Sequence, residues 1–470
     1  MTASESQHAA TWADTQHARG RLTARECVAL LLDAGSLTEL AAGAPGESGD
    51  AAPGDGVLTV QGFIGGRAVC VFAKDMAIAQ GTLAELHARK ICRLQQHALN
   101  SRIPLIGIYD TAGLRLDAGM AAWAGLGAIA RNSAEAQGVI PQISVVLGSC
   151  PGADALLVPL SDFVFMANDD STLYMSGPDV VQAVTHEAVS AARLGGPLVH
   201  TRGSTVADGV CDNDVQALLK VRRLIGFLPS HHRSGSPPWP GLDDAGREAP
   251  ALDTLIPAQP ADSYDVKELI GNVADDGDFL ELQPEFAPNL VMGLVRFQGH
   301  SVGVVANQSA VLAGVIDDSA ARKASRFVRF CDAFGLPVLS LVDAPGFLPG
   351  VAQEQAGLAR HAGELLAAYA RARVPLVTVV LRRAFGAAGI TMGSRAIGAD
   401  LVYAWPQAQI GLIGARGAVA LGMPEDAAAQ ALAPTTAAAK GEVDDVIAPR
   451  RTREHVIRAL AQLAFKNLQK

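Results

Sequence analysis

The sequence predicts an α/β protein made of two copies of one unit, each a mainly parallel sheet covered by helices. Three observations lead there. Apolar runs such as Ile140-Pro141-Gln142-Ile143-Ser144-Val145-Val146-Leu147 and Val374-Pro375-Leu376-Val377-Thr378-Val379-Val380-Leu381 show almost no polar alternation, the mark of strands buried on both faces. Helix-period stretches separate these runs, as expected of parallel strands joined by helical crossovers. The first half then recurs: Ala88-Arg89-Lys90 returns as Ala321-Arg322-Lys323 (322 − 89 = 233), Asp110 as Asp343 (343 − 110 = 233) and Gly152 as Gly386 (386 − 152 = 234). An offset that drifts by one residue over this span points to a tandem duplication.

At 470 residues the chain is long for one core, so two domains are expected. The 48 glycines and 25 prolines are scattered among apolar segments, which argues for a folded chain rather than disorder. A net charge of −9 with no basic stripe gives no support to a nucleic-acid partner. The six cysteines lack the spacing of a zinc site, so reduced structural thiols and no metal are expected. The first 16 residues hold no apolar signal-type core, and no run approaches ~20 apolar residues, so a cytoplasmic location away from the membrane is expected.

Taken in order, residues 1–18 read as a frayed arm, and Thr23-Ala24-Arg25-Glu26 has the spacing of a capping box opening a helix over Val28–Leu32. Gly43–Gly56 reads as a loop closing this N-terminal arm and helix, residues 1–56. Strands and helices then alternate through residues 57–228, including a helix over about Leu83–Ala98. The composition changes at residues 229–262, where His231-His232 and Pro237-Pro238-Trp239-Pro240 suggest an interdomain linker. Residues 263–470 form the second copy. Pro434 breaks its Ala-rich stretch after Glu425 into short helices, and a closing surface helix is expected from Arg450 onward.

Several familiar chemistries find no foothold. Gly125-Leu126-Gly127-Ala128-Ile129-Ala130 fits a loose dinucleotide pattern but follows a helical stretch where a strand is required. There is no P-loop and no GxSxG elbow. His200 and His361 are candidate acid/base groups, but a lone histidine beside apolar segments is more often structural. Arg222-Arg223 and Arg382-Arg383 fit an anion or a helix end equally well.

The strand-to-helix turns after the two apolar runs carry more. Small residues, Gly148-Ser149-Cys150-Pro151-Gly152-Ala153-Asp154 and Phe385-Gly386-Ala387-Ala388-Gly389, follow each strand, and peptide N–H groups at a helix start lack an internal acceptor. Tight helix–sheet packing also needs small residues, but the same turn occurs at equivalent places in both copies. Two oxyanion holes, one per reactant of a carboxyl transfer, are the expectation.

The motifs Asp110–Arg115 (DTAGLR), Gly148–Ala153 (GSCPGA), His200-Thr201-Arg202, Ala306-Asn307-Gln308, Arg326–Phe334 (RFVRFCDAF), Val342–Gly350 (VDAPGFLPG) and Ala404-Trp405-Pro406 together resemble the carboxyltransferase (β) subunit of biotin-dependent acyl-CoA carboxylases, over about Arg21 to Leu468. The resemblance implies two crotonase-like (ClpP/crotonase) domains in a dimer-based, commonly hexameric homo-oligomer, with an active site between the first domain of one subunit and the second of another. It implies a biotin carboxylase and biotin carrier partner whose carboxybiotin gives its carboxyl group to the α-carbon of a short acyl-CoA or acyl-carrier thioester. On it, Gly152 and Ala153 polarise the thioester and Ala387 and Ala388 face the biotin ureido oxygen. Phe385, Gly386, Gly389 and Ile390 line the substrate pocket, and biotin itself serves as base.

The sequence departs from the family pattern, which has Gly-Gly-Ala at Gly152-Ala153-Asp154 and Tyr-Gly-Gly-Ala-Tyr at Phe385-Gly386-Ala387-Ala388-Gly389. An alanine in place of glycine is strained wherever φ is positive. Asp154, aimed into a cavity, would oppose an enolate or return a proton to one, so it is a candidate acid/base group. Two rival readings follow: a malonyl or methylmalonyl thioester decarboxylase of the same fold, and an inactive scaffold subunit of a carboxylase assembly.

Overall fold

The computed structural model describes residues 13–43, 54–167, 170–241, 243–259 and 262–469. It contains two compact units, Met1–Ser234 and Gly235–Lys470. The strands of the first are β1 (Thr38–Glu39), β2 (Val57–Ile64), β3 (Arg67–Lys74), β4 (Leu105–Tyr109), β5 (Gln142–Val146), β6 (Ser149–Pro151), β7 (Phe163–Ala167), β8 (Thr172–Tyr174) and β9 (Gly209–Cys211). Its main sheet has the order β1-β2-β3-β4-β5-β7-β9, while β6 pairs with β8. The β2–β3 hairpin is antiparallel, and every pairing from β3 to β9 is parallel.

The second unit repeats this plan with β10 (Leu280–Leu282), β11 (Leu290–Phe297), β12 (His300–Asn307), β13 (Val338–Ala344), β14 (Leu376–Phe385), β15 (Leu401–Ala404), β16 (Gln409–Gly411) and β17 (Asp445–Val446). The order is β10-β11-β12-β13-β14-β15-β17, with β16 added beside β14. The offset seen in the sequence holds in space. The helix Glu85–Ser101 corresponds to Asp318–Phe334 (318 − 85 = 233), and β3 to β12 (300 − 67 = 233). Even the left-handed residues recur: Ala79 and Gln80 at φ 47° and 54° correspond to Leu312 and Ala313 at the same two values.

Local chemistry explains these elements. The strands β4, β5, β7 and β13 are buried at every residue, so they carry the unalternating apolar runs of a helix-covered parallel sheet. Asp317 caps the helix Asp318–Phe334 by accepting from Ala320 N at 2.8 Å, and Gly335 ends it at φ 71°. The capping box at Thr23 and Glu26 is present, opening the helix Ala24–Leu31. Gly125 lies within the helix Gly119–Ala136, where a Cβ would come within 2.5 Å of the Ala88 methyl. Its role is close helix packing, not phosphate binding.

Two expectations need correction, and a third lies mostly outside the described residues. Of the arm predicted as frayed, residues 1–12 lie outside the described residues, but residues 13–18 are helical. Gln16 is buried there, and its amide donates to Asp110 at 3.1 Å. The closing helix Thr452–Gln462 is not a surface element on its inner face: Arg453 is fully buried against Asp275 at 2.6 Å, and Trp405 Nε1 donates to Thr452 at 2.9 Å. The predicted loop at Gly43–Gly56 falls largely outside the described residues, yet Asp55 is buried and pairs with Arg115 at 2.7 Å.

One anchoring device appears in both units. Lys323, buried on the helix Asp318–Phe334, donates to the carbonyls of Gln283, Phe286, Ala287 and Leu290 at 2.7–3.3 Å; its counterpart Lys90 donates to Gly54 and Val57 at 3.1 and 2.6 Å. Each ammonium gathers carbonyls of the turn before a hairpin strand; Gln283, Ala287 and Gly54 also accept a backbone N–H, so the lysine matters most to Phe286, Leu290 and Val57. Lys323→Met should therefore destabilise the protein by about 2 to 3 kcal/mol, because buried carbonyls lose their donor. Lys90→Met, which frees fewer carbonyls, should cost less; equal urea midpoints for wild type and Lys323→Met would contradict this account.

Candidate active site

In the first unit the chain leaves β5, makes β6, and turns at Gly152–Leu156 into a short 3₁₀ helix. Gly152 takes φ 66°, a left-handed conformation, and the preceding Pro151 offers no side-chain cap. The amides that open this turn therefore have no intrahelical acceptor. In the second unit β14 runs directly into the helix Gly386–Thr391, with Gly386 at φ 55° and an uncapped start after Phe385. Each predicted turn thus occurs within its own unit, with a glycine at the same bend.

The substituted alanines sit where alanine is tolerated. Ala153 and Ala387 are not among the residues with positive φ; Gly152 and Gly386 take that conformation in their place. The strain expected of a Gly-to-Ala change does not arise. Ala387 is exposed, Ala388 is buried, and Ile390 is 38% exposed at the rim. Gly389 packs so closely that a Cβ would come within 2.6 Å of the Ala384 carbonyl carbon.

Asp154 does not point into open space. Its side chain is fully buried, and Lys74, at the end of β3, donates to it at 2.7 Å. His87 is nearby in charge terms: burial, and then the Lys74 ammonium, hold its imidazole well below the usual range and therefore neutral. The sequence reading missed Lys74, since a single lysine after an apolar strand carries no motif.

The equivalent aspartates that follow β4 and end β13 are held differently. Asp110 accepts from Arg21 at 2.7 Å and from Ser149 N at 3.3 Å. Asp343 accepts from Arg382 at 2.9 Å, Arg383 at 2.6 Å and Tyr264 at 3.2 Å. Arg382 and Arg383 are thereby committed to a carboxylate rather than a free anion, and Arg222 likewise pairs with Asp33 at 2.7 Å. His200 is buried between the Leu173 carbonyl (2.6 Å) and Ser204 (2.7 Å), and burial lowers its pKa. His361 lies 3.3 Å from both Asp318 and Glu364. Neither histidine belongs to the turns.

Among the described residues no cluster of His, Cys, Asp and Glu could hold a metal ion, and no helix is long and apolar enough to cross a membrane. A cavity of about 570 Å³ between the helices Asp318–Phe334 and Leu358–Arg371 is lined by Arg329, Arg360 and Arg371, and it contains none of the turn residues.

Residues 15–470 match the carboxyl transferase domain model. The chain is 46% identical to the propionyl-CoA carboxylase beta chain of Roseobacter denitrificans, across 97% of this chain and 93% of that one. It is 41% identical to the methylmalonyl-CoA decarboxylase subunit alpha of Veillonella parvula, across 96% and 92%. Among solved structures it is similar to transcarboxylase 12S, a hexamer seen with hydrolysed methylmalonyl-coenzyme A bound, with a TM-score of 0.93, 38% identity, and coverage of 96% and 91%.

The turn glycines give a direct test. Gly152→Ala meets nothing within 4 Å, so only backbone strain opposes it, whereas at Gly386 a methyl would also lie 3.1 Å from the Leu412 carbonyl oxygen. Each substitution should cost roughly 1 to 2 kcal/mol of stability, with Gly386→Ala the larger loss. Denaturant midpoints that do not move would show that neither bend requires its left-handed residue.

Proposed function

The chain belongs to the carboxyl transferase family, and we propose that it moves a carboxyl group between carboxybiotin and the α-carbon of a short acyl-CoA. The uncapped amides after β6 and β14, each following a left-handed glycine, are the observation that carries this reading. Amides fixed before the reaction stabilise negative charge where it develops and need no reorganisation. The peptides of Gly152 and Ala153 hold the thioester oxygen, so that removal of an α-proton leaves an enolate already hydrogen-bonded. The peptides of Ala387 and Ala388 fit a ureido oxygen, an acceptor that brings no proton, and Phe385, Gly386, Gly389 and Ile390 shape the surrounding pocket. Carboxybiotin, delivered by a biotin carrier on a partner subunit, supplies the carboxyl group and the base. An oligomer of this chain is part of the proposal.

Decarboxylation of a methylmalonyl-type thioester passes through the same enolate, and the Veillonella relative favours keeping it as the second reading. Asp154 is a poor choice for its proton source, because Lys74 holds the carboxylate in a fully buried pair.

Incubating the purified protein with methylmalonyl-CoA or malonyl-CoA and free biotin distinguishes these readings. Biotin-dependent loss of the thioester carboxyl group, with reverse exchange into propionyl-CoA or acetyl-CoA, is the expected result. Release of CO2 at the same rate without biotin would select the decarboxylase, and no turnover of any acyl or malonyl thioester would overturn both.

A further inference from the structure

Segments at three strand ends of the first unit meet in one buried cluster. Lys74 ends β3, Thr111 follows β4, and Asp154 lies in the turn after β6; Lys74, Thr111 and Asp154 are buried to within 2% exposure. Lys74 donates to Asp154 Oδ2 at 2.7 Å, and Thr111 Oγ1 lies 3.2 Å from the same oxygen and 2.8 Å from the Gly81 carbonyl. Gly113 N in turn donates to Thr111 Oγ1 at 3.0 Å. Asp154 Oδ1 makes no hydrogen bond, so the charge of this carboxylate is answered by Lys74, with the one Thr111 hydroxyl proton shared between Asp154 and the nearer Gly81 carbonyl.

The second unit does without this cluster. Asn307 stands in place of Lys74 (307 − 74 = 233), Ala344 in place of Thr111 (344 − 111 = 233) and Ala388 in place of Asp154 (388 − 154 = 234). Asn307 joins its neighbours as an amide, donating to the Gly314 carbonyl at 2.9 Å and accepting from Asp343 N at 3.2 Å. A neutral arrangement is therefore compatible with this fold. The ion pair in the first unit needs another explanation, because a buried charge pair is weak as a source of stability but strict in geometry.

We propose that Lys74, Asp154 and Thr111 form a strut that sets the spacing between the loop Thr111–Gly113 and the turn Gly152–Leu156, making them positioning residues for the thioester oxyanion. The two segments are already in close contact: a Cβ on Gly113 would lie 3.2 Å from the Pro151 carbonyl oxygen. With the lysine charge balanced inside the strut, Asp154 adds no net repulsion to an enolate at the turn. This inference rests on the carboxyl-transfer reading for its catalytic part only.

The test uses the full-length protein and takes its design from the second unit. Lys74→Asn with Asp154→Ala leaves no bare buried charge, and Thr111→Val keeps the ion pair while removing the hydroxyl link. Hydrogen exchange read by mass spectrometry should become faster at residues 112–114 and 155–157 in both variants; the thermal midpoint of the double variant should stay close to wild type, while that of Thr111→Val should fall because the Gly81 carbonyl and the Gly113 N–H lose their partner. In the exchange assay kcat should fall roughly tenfold or more through misplacement of the amides. KM should stay within about threefold, and Thr111→Ser should restore kcat. Unchanged exchange at both segments overturns the strut whether or not the enzyme turns over. A wild type inactive on every thioester defeats the carboxyl-transfer reading, while amide exchange still decides the strut.

Discussion

The structure depends on how a parallel strand ends. Both faces of the sheet are covered, so β4, β5 and β13 are buried at every residue. At the carboxyl ends of β6 and β14 the chain bends into helix through a left-handed glycine. Free amides gather there by geometric necessity. A protein that works through its main chain thus needs no reactive side group, provided that the peptides after the bend are held still.

The duplication shows two ways of holding them still. Asp110 and Asp343 are equivalent carboxylates, but Arg21 reaches the first from a distant segment, while Arg382 and Arg383 reach the second from the neighbouring strand β14. Lys74 pairs with Asp154 of the first turn, whereas its counterpart Asn307 bonds instead to the Gly314 carbonyl and to Asp343 N. The backbone plan has been kept while the side chains that brace it have diverged.

Much of this was legible in the sequence. The unalternating strands, the capping box at Thr23, the offset of the two copies and both turns could be read because each is a local pattern or a repeat. The glycine bends were legible as small residues, but their division of labour was not. Whether Ala153 or Gly152 takes the positive φ is fixed by the path of the chain, so the expected strain at the alanines was misplaced. The partners of Asp154 were hidden for another reason: Lys74 is 80 residues away, and only the pairing of β3 with β4 and β5 brings the two strand ends together. The composition change over residues 229–262 contains the division between the two compact units, after Ser234. It gave no sign that this stretch is packed, with Trp239 N donating to the Gly299 carbonyl and Leu252 lying in the second core.

The opening and final segments of each unit are fastened together. Leu22 N donates to Asp214 at 2.9 Å across 192 positions, and Ala249 N donates to the Arg450 carbonyl at 2.9 Å. On the ribosome, a chain growing from its amino end therefore cannot complete the first half until the helix Asp214–Phe227 has emerged, and the second half waits for Thr452–Gln462. Such late-closing contacts make for slow folding. Until its closing helix is made, each half lacks the contacts that fasten its opening segment.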